Sequence, residues 1–235
     1  MTMIGIETAT ARLSVALRRP DGHITERYKD SGLSHCELLT GFILELIEDA
    51  CLSVDDIECI AVSCGPGSFT GLRIGIASAM GLAYGIGKPV CGIDTLMGLA
   101  WNAAVHGSLV CPIIDAKRSE LYTAIYRVGY DIPHILMKPT TIPVNNLVEK
   151  LSSFDEPITV TGPAAGQFCD TLGRHPDNRI SCIPDHSAQA TARSIVELGN
   201  MIYLHNGGTQ PALLKPLYLR RSDAEIGYSS SMNRS

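Results

Sequence analysis

A chain of 235 residues, 45% hydrophobic and 18% charged, is long enough to bury one large core or two modest ones. Its formal net charge of -5 argues against a protein that grips nucleic acid unaided, because neutralising phosphates takes a concentrated basic face. The opening MTMIGIETAT has no basic segment ahead of a signal-type apolar run, and no stretch reaches the roughly 20 apolar residues of a bilayer span. A cytoplasmic protein without membrane contact is therefore expected. The eight cysteines are dispersed, form no CxxC pair, and in part lie within apolar runs (Cys59, Cys91, Cys111), which favours small buried hydrophobes over a metal or redox site.

In chain order, the first segment predicts strands at Ile4–Glu7, Leu13–Leu17 and His23–Tyr28, the last two separated by the turn Pro20-Asp21-Gly22. Ser34-His35-Cys36-Glu37 has capping-box spacing and opens a helix from His35 to about Ala50. Apolar residues recur along it at three- and four-residue steps, with Glu37, Glu45 and Glu48 opposite. A fourth strand, Cys59–Cys64, feeds a glycine-rich turn and a second helix, Phe69–Gly85. A strand at Val90–Ile93 and a helix from about Leu96 to Val105, capped by Asp94, follow.

The chain then restarts. Ile114-Asp115-Ala116 followed by Leu121–Ile125 lies over Ile6-Glu7-Thr8 followed by Leu13–Leu17 without a gap. Beyond it are a strand at Ile158–Val160, a glycine turn at Thr161-Gly162-Pro163, a helix at Ala164–Leu172, a strand at Ile180–Ile183 and a helix at Ala188–Leu204. Two lobes of an α/β protein with mixed sheets are expected, residues 1–106 and 107–235, ending in a polar tail from Ser222.

The stretch CGPGSFTGLRIGIASAMGLAYG, Cys64–Gly85, carries the densest signal. It fails the P-loop pattern, since the position for the second glycine is Thr70 and no lysine follows. A dinucleotide fingerprint is off by one residue and includes Pro66, which removes a backbone donor; a nucleophile elbow lacks a serine midway between two glycines. What survives is generic: amides of Ser68–Gly71 at the positive end of a helix, open to an anion, or simply a capped helix start. From Leu72 to Tyr84 the helix has no continuous polar face, with Arg73 its one charge. Gly71, Gly75, Ser78 and Gly85 form a small-residue track. Such a helix is buried on more than one side, in a large core or against another subunit.

Gly65-Pro66-Gly67-Ser68-Phe69-Thr70-Gly71-Leu72-Arg73-Ile74-Gly75 resembles the signature of the TsaB (YeaZ) family. So do Ile6-Glu7-Thr8-Ala9-Thr10, His35-x-Glu37-Leu38-Leu39, Ile114-Asp115-Ala116 and Pro216-Leu217-Tyr218-Leu219-Arg220. The resemblance implies an actin-like, Hsp70-like fold of two duplicated lobes. It also implies a part in making threonylcarbamoyladenosine in tRNAs that read codons beginning with A. In that picture the chain has no intrinsic activity. It pairs with a TsaD-like catalytic subunit that consumes threonylcarbamoyl-adenylate, is joined by a TsaE-like ATPase, meets tRNA within the complex (Arg220-Arg221 contributing), and self-associates as a homodimer in isolation.

The expected docking face comprises the first two helices, with contacts at Leu39, Phe42, Ile43 and Leu46 on one and Gly75, Ala79 and Leu82 on the other. Gly75→Trp is expected to weaken association and leave the monomer folded. No cofactor is required. Weak Mg-ATP or Mg-ADP binding would fall to Glu7, Thr8, Ser68, Thr70 and Asp115, with Glu7 and Asp115 facing each other across the cleft around magnesium. Lys117, Arg118 and Ser119 fill the second turn, where nucleotide-binding relatives place glycines. The seven histidines show no HxxxH, and no metal site is assigned. The rival reading is an ATPase or phosphotransferase working in that cleft.

Overall fold

The computed structural model describes residues 1–30, 35–103, 107–172, 179–183 and 189–220. Ser34 of the expected capping box, the lobe boundary at residue 106, Arg221 and the tail from Ser222 lie outside the described residues.

Among the described residues, ten strands form two five-stranded sheets of one topology. In the first, β1 (Met3–Glu7), β2 (Arg12–Arg18) and β3 (Ile24–Asp30) make an antiparallel meander, and β4 (Cys59–Gly65) and β5 (Val90–Asp94) add in parallel on the free edge of β1. The second sheet repeats this order with β6 (Leu109–Asp115), β7 (Glu120–Arg127), β8 (His134–Pro143), β9 (Ile158–Thr161) and β10 (Ile180–Cys182). The restart visible in the sequence is thus a complete duplication, and the arrangement is the expected actin-like, Hsp70-like α/β fold.

Helices separate the chain into layers. α1 (His35–Asp49) and α2 (Phe69–Ile86) cover the outer face of the first sheet, and α4 (Val144–Ser152) and α5 (Ala165–Leu172) that of the second. α3 (Thr95–Ala103) and α6 (Ala192–Asn206) lie between the sheets, in a core that runs from Met3, Ala61 and Ile93 to Val110, Ala124 and Tyr126. Alternation along β1 sets this division. Ile4 and Ile6 point into the outer core, while Met3 faces the inner one and Gly5 brings the backbone of β1 close to Ala192 and Val196 of α6. Because α6 packs on β1, β2 and β4, one cut at residue 106 does not sort the elements by sheet.

Two elements were absent from the expectations. β8 is an edge strand interrupted by Pro139, with most of its residues partly or fully exposed, so it lacks a clean alternation. α4 buries only Leu147 and Leu151. α6 begins at Ala192, where Thr191 caps it by accepting from the Ser194 amide; the expected start, Ala188, lies outside the described residues.

Candidate functional site

The glycine-rich turn is shaped by the chain's own first hairpin. The Ser68 amide donates to the Ala9 carbonyl at 2.7 Å, and Thr8 Oγ1 donates to the Gly71 carbonyl at 2.8 Å. Ser68 caps α2 by accepting from the Gly71 amide at 3.2 Å. A Cβ on Gly67 would strike the Ala9 carbonyl, one on Gly71 the Thr8 carbonyl, and one on Gly75 the Thr8 hydroxyl. These glycines admit the β1–β2 turn against the first two turns of α2, and two of the four amides considered for an anion already have internal partners.

The carboxylates assigned to the cleft sit in unlike surroundings. Glu7, at the end of β1, is fully buried; Oε1 accepts from the Ala9 amide at 2.6 Å and Oε2 has no partner among the described residues. Burial pushes its pKa up to about 7, so near neutrality it is often the uncharged acid. Asp115, at the end of β6, is partly exposed. Burial alone would raise its pKa, but the Lys117 amide at 2.7 Å and ammonium at 2.9 Å together hold it below the ordinary value. No group of three or more candidate metal ligands occurs among the described residues. Of the other residues in this set, Thr8 is buried, and Ser68 and Thr70 are exposed at the start of α2.

The expected docking contacts require correction, because most point inward. Leu39, Ile43, Leu46 and Ala79 are buried in the outer core against the first sheet, Gly75 packs on Thr8, and Phe42 and Leu82 are half-buried. The richest apolar stripe of each helix is consumed by its own sheet. A Gly75→Trp change would therefore damage the monomer.

The outward face is a different set. α2 exposes Arg73, Ala77, Gly81, Tyr84 and Gly85, and a Cβ at Gly81 or Gly85 would meet nothing within 4 Å. Tyr84 is 58% exposed and Leu44 on the adjoining α1 is 54% exposed. Leu38, Phe42, Ile74, Met80 and Leu82 are half-buried and pack against the outer core. The small-residue track that remains open is Ala77–Gly81–Gly85, at four-residue spacing. By length and composition alone the 18-residue α2 is apolar enough to cross a membrane, but Gly71, Leu72, Gly75, Ile76, Ala79 and Ala83 are buried on the protein side.

Two further contacts carried no sequence signal. The Tyr126 phenol of β7 donates to Asp94 Oδ2 at 2.9 Å, joining the two sheets, while Asp94 Oδ1 caps α3 through the Leu96 amide at 2.8 Å as expected. Phe69 at the start of α2 stacks on Tyr218, with ring centroids 4.5 Å apart.

Comparison with known proteins gives consistent matches. The family model described as TsaD, tRNA N6-adenosine threonylcarbamoyltransferase, matches residues 29–228. An uncharacterised protein of Mycobacterium tuberculosis is 30% identical over 230 residues, covering 95% of this chain and 94% of the relative. The Bacillus subtilis tRNA threonylcarbamoyladenosine biosynthesis protein TsaB is 30% identical over 162 residues, 69% of this chain and 71% of its own. YeaZ from Pseudomonas aeruginosa superimposes with a TM-score of 0.82 at 24% identity, over 93% of this chain and 99% of that one.

Proposed function

The chain belongs to the TsaB (YeaZ) family, with a role in tRNA threonylcarbamoyladenosine biosynthesis, and from that premise we propose that it is the non-catalytic scaffold of the modifying assembly. The observation that carries this reading is the outward face of the α1–α2 pair. On α2 it presents the bare track Ala77–Gly81–Gly85 beside Tyr84, which allows a partner helix to approach backbone to backbone, and on α1 it presents Leu44 among the exposed Glu37, Glu45 and Glu48. Stable interfaces bury about 1,600 Å² in total, and two neighbouring helix faces supply much of that. The partner is the TsaD-like catalytic subunit, with a second copy of this chain on the same face in its absence. The TsaE-like ATPase joins the pair, and tRNA is met only within the complex, in keeping with a net charge of -5.

The rival reading places nucleotide chemistry between the lobes. A buried Glu7 that is only partly ionised near neutrality, an Asp115 paired with Lys117, and a β6–β7 turn filled by Lys117, Arg118 and Ser119 weigh against it. Co-purification with the TsaD-like subunit followed by reconstitution of tRNA modification tests the scaffold role. Modification that needs this chain and fails without complex formation supports it; modification proceeding equally well in its absence removes it. Calorimetry with magnesium and ATP tests the rival directly.

A further inference from the structure

After α6 the chain returns across the first sheet and then reaches the second. Thr209 pairs with Val90 at the edge strand β5 through two backbone bonds of 2.8 and 2.9 Å, and Leu214 enters the outer core. The Leu217 amide donates to the Cys64 carbonyl at 2.6 Å, next to the register shift that ends β4. A Cβ on Gly65 would stand 2.7 Å from the Leu217 carbonyl oxygen, so the glycine opening the signature turn is also required by this passing segment.

Tyr218 stacks on Phe69 at 4.5 Å, and the Arg73 guanidinium lies 3.9 Å from the centre of the same ring. Two groups that close cannot share one face, so Phe69 is sandwiched. Arg220 Nη1 then donates to the Ala116 carbonyl at 2.7 Å, just past the end of β6 in the second sheet. That carbonyl opens a turn in which Lys117, Arg118 and Ser119 all have φ between 56° and 66°. Three successive non-glycine residues in the left-handed region are costly, and such a turn persists when its surroundings hold it.

We infer that residues 214–220 form a latch that ties the β4–α2 turn of the first lobe to the β6–β7 turn of the second. Leu214 anchors it, the Tyr218–Phe69–Arg73 stack registers it on α2, and Arg220 closes it. It acts in addition to the buried α3–α6 layer, at the ends of β4 and β6. The latch stands whether or not α2 docks a partner, because every contact in it is internal.

Hydrogen exchange read by mass spectrometry on the full chain, with Arg220→Ala and Tyr218→Ala compared to the parent, tests the latch. Amides of residues 116–120, where Ala116 bonds to Glu120 and Glu120 to Lys117, are expected to exchange about 10-fold faster in Arg220→Ala. Tyr218→Ala should add residues 65–69, with β1 and α6 keeping their protection. Unchanged exchange at 116–120 in both variants overturns the inference. A uniform rise across β1, α6 and the turn overturns it too, since the segment would then be part of the common core.

Discussion

Thr8 Oγ1 donates to the Gly71 carbonyl at 2.8 Å, fastening the β1–β2 turn to the first turn of α2 across 63 residues of sequence. The contact exists because Gly71 has no side chain; a Cβ there would occupy the space of the Thr8 carbonyl. Gly71→Ala is therefore expected to destabilise the protein by about 1–3 kcal/mol through forced backbone movement. Gly81, exposed in the same helix, gives the control: Gly81→Ala should stabilise by about 0.5–1 kcal/mol, since alanine is the better helix former. Urea midpoints of the two variants check both signs.

Glu7 makes stability depend on pH. An ordinary glutamate titrates near 4.5 and this one near 7, so between those values the folded state holds a proton that the unfolded chain releases. The contribution of Glu7 to stability is fully present below about 4.5, falls as pH rises, and has lost its increment, about 3 kcal/mol, once pH exceeds about 7. Asp94, raised by burial from 3.8 to about 6, adds a slope of the same sign. Glu7→Gln should match the parent near pH 5 and exceed it near pH 8, as measured by denaturation at both values. A parent whose stability rises over this range would contradict the assignment.

The bond from Tyr126 to Asp94 links the sheets and stabilises the charged form of the aspartate. Burial and the neighbouring Asp94 push the phenol's pKa upward, so it remains a donor throughout the accessible range. Tyr126→Phe removes a charge-assisted bond above pH 6 and a weaker neutral one below. The expected cost is about 1.5–3 kcal/mol near pH 8 and about 1 kcal/mol near pH 5. Equal losses at the two pH values would place the aspartate's titration elsewhere.

Strands and helices with strong apolar patterning were legible in the sequence, down to Asp94 as the cap of α3 and Ser68 as the cap of α2. β8 and α4 were not. An edge strand punctuated by Lys138, Pro139 and Pro143 has no buried face to impose alternation, and a nine-residue helix opening Val-Asn-Asn has weak local preference. The two helices of the candidate site were found, but not their orientation. α2 is apolar on nearly every side, so its period cannot say which stripe meets the sheet. Only the three-dimensional fit of Gly71 and Gly75 onto Thr8 decides it. The Tyr126–Asp94 and Arg220–Ala116 contacts, 32 and 104 residues apart, depend on how the duplicated sheets face each other, and no local pattern encodes that.

The inward position of Gly75 and the outward position of Gly81 separate folding from docking. A Cβ at Gly75 strikes Thr8 Oγ1, so Gly75→Trp should lower the melting temperature or prevent folding, and any loss of partner binding would follow from that. At Gly81 an added side chain meets nothing in the monomer, but it would stand up from the Ala77–Gly81–Gly85 track that a partner helix needs clear. Gly81→Trp is thus expected to keep the parent's melting temperature within about 2 °C while weakening association with the TsaD-like subunit by 10-fold or more. Tyr84→Ala, which removes an exposed ring from the same face, should weaken it in the same direction by a smaller factor. Titration calorimetry and analytical ultracentrifugation read both partner binding and self-association. A folded Gly81→Trp variant that binds the partner with parental affinity would move the docking surface off α2.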